Sequence, residues 1–175
     1  MAQRLGITAP ASGLLWKLRR LRREHPVEEA QDLESWLVEL AHSRGFHVLQ
    51  RRPIALSETI SLEDLSNEEL AIAFIHPALR DEPQLLRPAA QMISRGAIDI
   101  PKLLHLAERE CASRILANLA IQALKAAPSH PGWIAISRNL QPAAPLRENV
   151  IHWTRLAEPV MKPRGPHNAE WRLVA

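Results

Sequence analysis

The stretch PVEEAQDLESWLVELAHSRGF, residues 26–46, decides the fold class. Leu33, Trp36, Leu37 and Leu40 recur at i, i+3, i+4 and i+7, the spacing that gathers apolar side chains on one face of a helix. Glu28 and Glu29 follow Pro26 in the first turn, where the helix dipole favours anions. Gly45 supplies a residue that reaches the left-handed region at the C-terminal end without steric cost. The pattern predicts an amphipathic helix opened by Pro26.

Immediately upstream, LLWKLRRLRREHP (residues 14–26) carries Leu14, Leu18 and Leu21 on one stripe and predicts a helix over 12–25, capped by Ser12 and stopped at His25-Pro26. The short connection between the two predicts an antiparallel helical hairpin over 12–43. Opposite the leucine stripe lie Arg19, Arg20 and Arg23 with Trp16 among them. Residues 1–23 hold six cations and no Asp or Glu, whereas residues 24–40 hold six anions and no Lys or Arg. Antiparallel pairing would set the basic and acidic flanks side by side, each exposed pair contributing about 0.2–1 kcal/mol, and this internal cancellation is the expected arrangement. The alternatives are a face that stacks on exposed bases while Arg holds phosphates, or one that dips into a membrane interface.

Downstream, FHVLQRRPIAL alternates briefly at Phe46 and Val48 before Pro53 and reads as a short strand or a connector. Ser66 and Glu69 form an S-x-x-E capping box ahead of Leu70, Ile72, Ala73 and Ile75, and His76-Pro77 ends that helix. In RDEPQLLRPAAQMISRG, Pro83 falls in the first turn, Pro88 either kinks the helix or marks its true start, and Gly96 ends it. Asp99 and Pro101 then open IPKLLHLAERECASRILANLAIQALKAAP, which is either one long helix or two joined near Glu110.

The chain has 175 residues, of which 46% are hydrophobic but only 4% aromatic, so aliphatic side chains must supply the packing; that favours helices over a β-sandwich. The expected fold is mainly α. A helical domain spans 1–127, as the 12–43 hairpin and a 66–127 array of antiparallel helices, and a Pro/Trp-rich basic segment, 128–175, packs on it. Seven of the fourteen prolines and three of the five tryptophans fall in that last segment. There VIHWTRL and EWRLVA have strand-like content, read either as one short β-hairpin or as an irregular strap.

The lone Cys111 excludes an internal disulfide framework and offers no cysteine cluster for zinc, which suits a reducing cytoplasm; its position between Ala107 and Ile115 suggests a small, buried, inert thiol. No apolar run is long enough for a membrane span, and the first twenty residues lack a secretory pattern, so the expected location is cytoplasmic. A formal charge of +3 is too small by itself to argue for nucleic acid.

Chemistry is sparse. Nucleophile-elbow, phosphate-loop, dinucleotide and zinc-protease patterns are absent from the sequence, so no catalytic residue, cofactor or metal ligand is assigned and the chain is expected not to be an enzyme. Glu39-x-x-His42 has the spacing of a di-iron bundle, but the sequence holds no second Glu-x-x-His. His105 with Glu108, and Glu69 with His76, share helix faces without further ligands. His25, His76 and His130 each precede a proline, which places their rings at helix ends, near the negative terminus. The expected function is a non-catalytic protein-interaction domain, an adaptor or accessory subunit. An RNA- or DNA-binding accessory protein is the alternative. Either partner would meet Trp16, Arg19, Arg20, Arg23, Trp153, Arg155, Trp171 and Arg172, since aromatic and guanidinium groups together suit both hot spots and base stacking.

Overall fold

Helix α3 (Asn67–Phe74) buries Glu68 and every residue from 70 to 74, so it is apolar nearly all round. Such a helix belongs in an interior, and the computed structural model packs α1, α2, α4 and α5 against it. Residues 13–27, 30, 32–46, 60–79 and 85–140 are described by the structure. Seven α-helices follow one another among them: α1 (Gly13–Glu24), α2 (Leu33–Ser43), α3, α4 (Leu86–Ser94), α5 (Ile100–Arg109), α6 (Ser113–Ala126) and α7 (Pro131–Asn139). A 3-10 turn covers Pro77–Leu79, and no strand occurs among the described residues. The mainly helical architecture expected from periodicity and composition is therefore observed. The strand or connector after Phe46, and the β-hairpin or strap expected beyond residue 140, lie outside the described residues.

Leu14, Leu18 and Leu21 are the buried stripe of α1, as their spacing predicts. The second helix begins later than Pro26 suggests. Asp32 takes an extended conformation, its Oδ1 accepts the Ser35 N–H at 2.7 Å, and α2 starts at Leu33. An aspartate cap satisfies a first-turn N–H that has no partner within the helix, and here it outweighs the proline entry. His25, just after α1, is tied to α2, because the indole Nε1 of the fully buried Trp36 donates to the His25 carbonyl at 2.9 Å.

Three helices end in the same way. At α2, α4 and α5 the residue after the cap has positive φ: Gly45 at 83°, Gly96 at 69° and Cys111 at 57°. The following N–H reaches back to the helix, from Phe46 to Ala41, from Ala97 to Met92 and from Ala112 to Ala107, at 2.9, 3.3 and 2.7 Å. This is the Schellman geometry, and glycine is its usual occupant because a Cβ is strained there. The run 100–128 is thus two helices, broken at Glu110–Ala112, and Cys111 is exposed at the break rather than buried within a helix as its sequence neighbours suggest. Its side chain occupies a backbone position that two glycines fill elsewhere. Cys111→Gly is expected to raise stability by about 0.5–1 kcal/mol in denaturant titration.

α4 starts at Leu86 with Pro88 in its first turn, where a missing N–H costs nothing, so Pro88 marks the start and produces no kink. Beyond Ala127, at the start of the proline- and tryptophan-rich segment expected to pack on the helices, the chain builds α7. Pro131 sits in its first turn, Trp133 and Ile136 are buried, and α7 packs on α4, α5 and α6. Pro131 resembles a breaker in sequence, but at N1 a proline is pre-set for the helix.

Candidate functional site

The outer face of α1 is built by elimination. Because its leucine stripe is consumed by the core, Trp16, Arg19, Arg20 and Arg23 must point outward, and all four are exposed. Trp16 is 62% exposed, and the Arg20 guanidinium carbon lies 5.4 Å from its ring centroid, within cation–π range. Spaced i, i+3, i+4 and i+7, the four side chains form one stripe about two turns long. Trp153, Arg155, Trp171 and Arg172 lie outside the described residues.

Among the described residues, Lys17 of α1 finds its anion on α3 rather than on α2. Lys17 Nζ donates to both carboxylate oxygens of Glu69 on α3 at 2.8 Å. Glu69 Oε2 also accepts the Ser66 N–H at 2.9 Å, and Ser66 Oγ accepts the Glu69 N–H, so Lys17 locks onto the expected capping box. Arg20 lies 3.6 Å from Glu24 of its own helix, and Arg22 Nη2 reaches the Ala30 carbonyl at 3.4 Å. Glu39, counted with the acidic flank, faces inward at 1% exposure, with Oε2 3.7 Å from His42 Nδ1. Lys17 thus pairs with α3 and not with the acidic run that follows it in sequence, of which Glu28 and Glu29 lie outside the described residues. A helix that must bury its apolar face turns its polar residues by packing rather than by charge, and exposed pairs are too weak to resist.

A second polar cluster gathers at the start of α3. Arg44, which ends α2, donates to Leu65 O at 2.6 Å, to Ile60 O and Ser61 O at 3.4 Å, and to Asn67 Oδ1 at 3.1 Å. Burial pulls its guanidinium below the usual arginine range, while Glu69 opposes that shift. Asn67 Nδ2 donates to Ala97 O at 3.2 Å, and Arg95 Nη1 to Gly45 O at 2.8 Å, tying the ends of α2 and α4 together. Glu68 Oε1 accepts the Asp99 N–H and Oε2 the Lys102 ammonium, both at 2.9 Å.

Burial alone would push the Glu68 carboxyl up, but the Asp99 N–H, Lys102 and Ser66 together hold it down at about 2 against an ordinary 4.5. Its folded value lies below its unfolded one, so the stability it contributes is present above 4.5 and is lost as pH falls towards 2. Glu68→Gln is expected to remove about 2 kcal/mol at neutral pH and to flatten the acid limb of a stability–pH curve in that interval.

Elsewhere the chemistry-bearing residues are spread out. The side chains of His105 and Glu108 are exposed, and no hydrogen bond or ion pair joins the two. Glu69 and His76 part company, one to Lys17 and the other towards Glu110. Among the described residues no group of three or more His, Cys, Asp or Glu converges as a metal site. The ring of His130 bridges two helix ends: Nδ1 accepts the Trp133 N–H at 3.3 Å, capping the start of α7, and Nε2 donates at 2.9 Å to the carbonyl of Ser94 at the negative end of α4. His76 likewise caps a start, as its Nδ1 accepts the Ala78 N–H at 3.1 Å. A histidine before proline can cap the positive end of the next helix because a neutral imidazole offers one lone pair. The spacing of His-Pro alone does not say which end is used.

Among the described residues no helix is long and apolar enough to cross a membrane. The described residues form a mainly helical protein whose first helix carries an aromatic, cationic stripe. No protein-family model, no curated protein and no solved structure matches the chain.

Proposed function

We propose that the chain is a non-catalytic, cytoplasmic interaction domain, an adaptor or accessory subunit, that docks an acidic surface of another protein on the outer face of α1. The observation that carries this reading is the exposure of Trp16 beside Arg19, Arg20 and Arg23, on a helix whose opposite stripe is fully buried. The core has no use for these side chains, and tryptophan and arginine dominate the binding energy of many protein interfaces. A formal charge of only +3 favours local complementarity with an acidic patch over a long polyanion. Trp153, Arg155, Trp171 and Arg172 belong to the same proposal as a further contact region.

The contact of Arg20 with Trp16 favours a second reading, an RNA- or DNA-binding accessory protein, because a π-face flanked by guanidinium groups also suits an unpaired base and its phosphate. The two readings separate in one experiment. Tagged wild-type protein and a Trp16→Ala, Arg19→Glu, Arg23→Glu variant of matched thermal stability are used as bait in nuclease-treated native extract. The adaptor reading expects a protein that only the wild type retains. Retention that disappears with nuclease, together with steep salt dependence on a labelled single strand, supports nucleic acid instead. Identical retention by both baits overturns the α1 face.

A further inference from the structure

His76 lies where three pieces of chain meet, at the end of α3, the start of the Pro77–Leu79 turn and the last turn of α5. We infer that His76 is a protonation-controlled latch, which holds the Pro77–Leu79 turn to the helical body when neutral and releases it when charged.

The geometry assigns the proton. Nδ1 accepts the Ala78 N–H at 3.1 Å, so that nitrogen must carry a lone pair and the single ring proton sits on Nε2. Nε2 is out of solvent and has no hydrogen-bond partner among the described residues, and it faces Glu110 Oε2 at 3.7 Å, too far for a hydrogen bond. Glu110 Oε1 in turn accepts from Arg109 Nε at 3.0 Å, so the carboxylate is shared with a second cation. Both side chains of the pair are nearly buried, at 4% and 2% exposure.

A second proton on the ring has two consequences. It places an N–H on Nδ1 directly against the Ala78 N–H, which abolishes the cap. It also creates a cation in a site with little access to water, where the only described ion-pair partner is Glu110, already engaged by Arg109. From α5 the groups facing the imidazole are therefore Glu110 and, behind it, Arg109; among the described residues no ion pair joins His76 to α1, α2 or α4. Burial outweighs the attraction of Glu110 and pushes the imidazole below its ordinary 6.5. A histidine whose folded value is depressed holds its place fully above 6.5 and loses that stability as pH falls below it. The latch thus opens on the acid side, and the Ala78 and Leu79 amides, bonded to Nδ1 and the carbonyl of His76, report it.

The test is amide hydrogen exchange followed by NMR on the full chain, expressed as protection factors so that the intrinsic pH dependence is removed, from pH 7.5 to pH 5. The expected result is a local loss of protection at Ala78 and Leu79 of about tenfold per pH unit at its steepest, with core amides of α3 unchanged. The fall should begin near 6.5 and level off where the His76 ring protons titrate in the same samples. His76→Asn keeps a side-chain acceptor two residues before Ala78 but cannot titrate, so it should retain the neutral-pH protection and lose the pH dependence. Protection that is constant or rises on acidification in the wild type overturns the latch. So does a fall that begins well above 6.5, or one that survives in His76→Asn.

Discussion

Trp133→Ala is expected to destabilise the protein by about 3–5 kcal/mol, the range for removing a fully buried large aromatic, and to lower Tm by about 10 °C or more. The side chain is 0% exposed, and its Nε1 donates to Ser94 Oγ at 3.1 Å. His130, three residues earlier, binds the carbonyl of the same serine at 2.9 Å, so one residue at the end of α4 anchors both the cap and the core residue of α7. Trp133→Phe separates the contributions. It keeps most of the packing, leaves Ser94 Oγ without its indole donor, and should cost about 1–2 kcal/mol. A result near zero for Trp133→Ala would mean that α7 is not part of the cooperative unit.

Arg44 is the second site with a large expected effect. Arg44→Met preserves much of the apolar stem but leaves the carbonyls of Ile60, Ser61 and Leu65 without the guanidinium that gathers them, at a cost of about 3 kcal/mol by chemical denaturation. Arg44→Lys should recover little of this, because an ammonium cannot span carbonyls and the Asn67 amide oxygen with the fixed fork that the arginine uses. Full rescue by lysine would show that the charge, and not the planar geometry, holds the loop before α3.

Trp16 provides the contrast to both. At 62% exposure its replacement by alanine should leave stability within about 0.5 kcal/mol, so any loss of partner binding in that variant reflects contact rather than folding. Of the three described tryptophans, two are structural and one is free to be functional. Periodicity had already separated them: Trp36 falls in line with Leu33, Leu37 and Leu40, whereas Trp16 falls opposite Leu14, Leu18 and Leu21. The third, Trp133, carried no such sign, since the helix that buries it begins with Pro131 in a proline-rich neighbourhood.

What the amino-acid order determined by itself was local. Leucine spacing defined the buried faces of α1 and α2, Ser66 with Glu69 defined the cap of α3, Asp99 with Pro101 the entry to α5, and Gly45 and Gly96 the ends of α2 and α4. Each depends on residues within about two turns of one another, so periodicity and capping chemistry suffice to read it. Tertiary structure alone decided the rest. It sent Lys17 to Glu69, fifty-two positions away, in place of the acidic run that follows it in sequence, and it set Glu110 beside His76 across α3 and α5. It also placed a cysteine in a left-handed turn that glycine normally fills. Charge pairs and helix breaks of this kind are settled by which apolar faces meet first, because burial of a single leucine contributes about 1.5–3 kcal/mol and outweighs any one exposed ion pair.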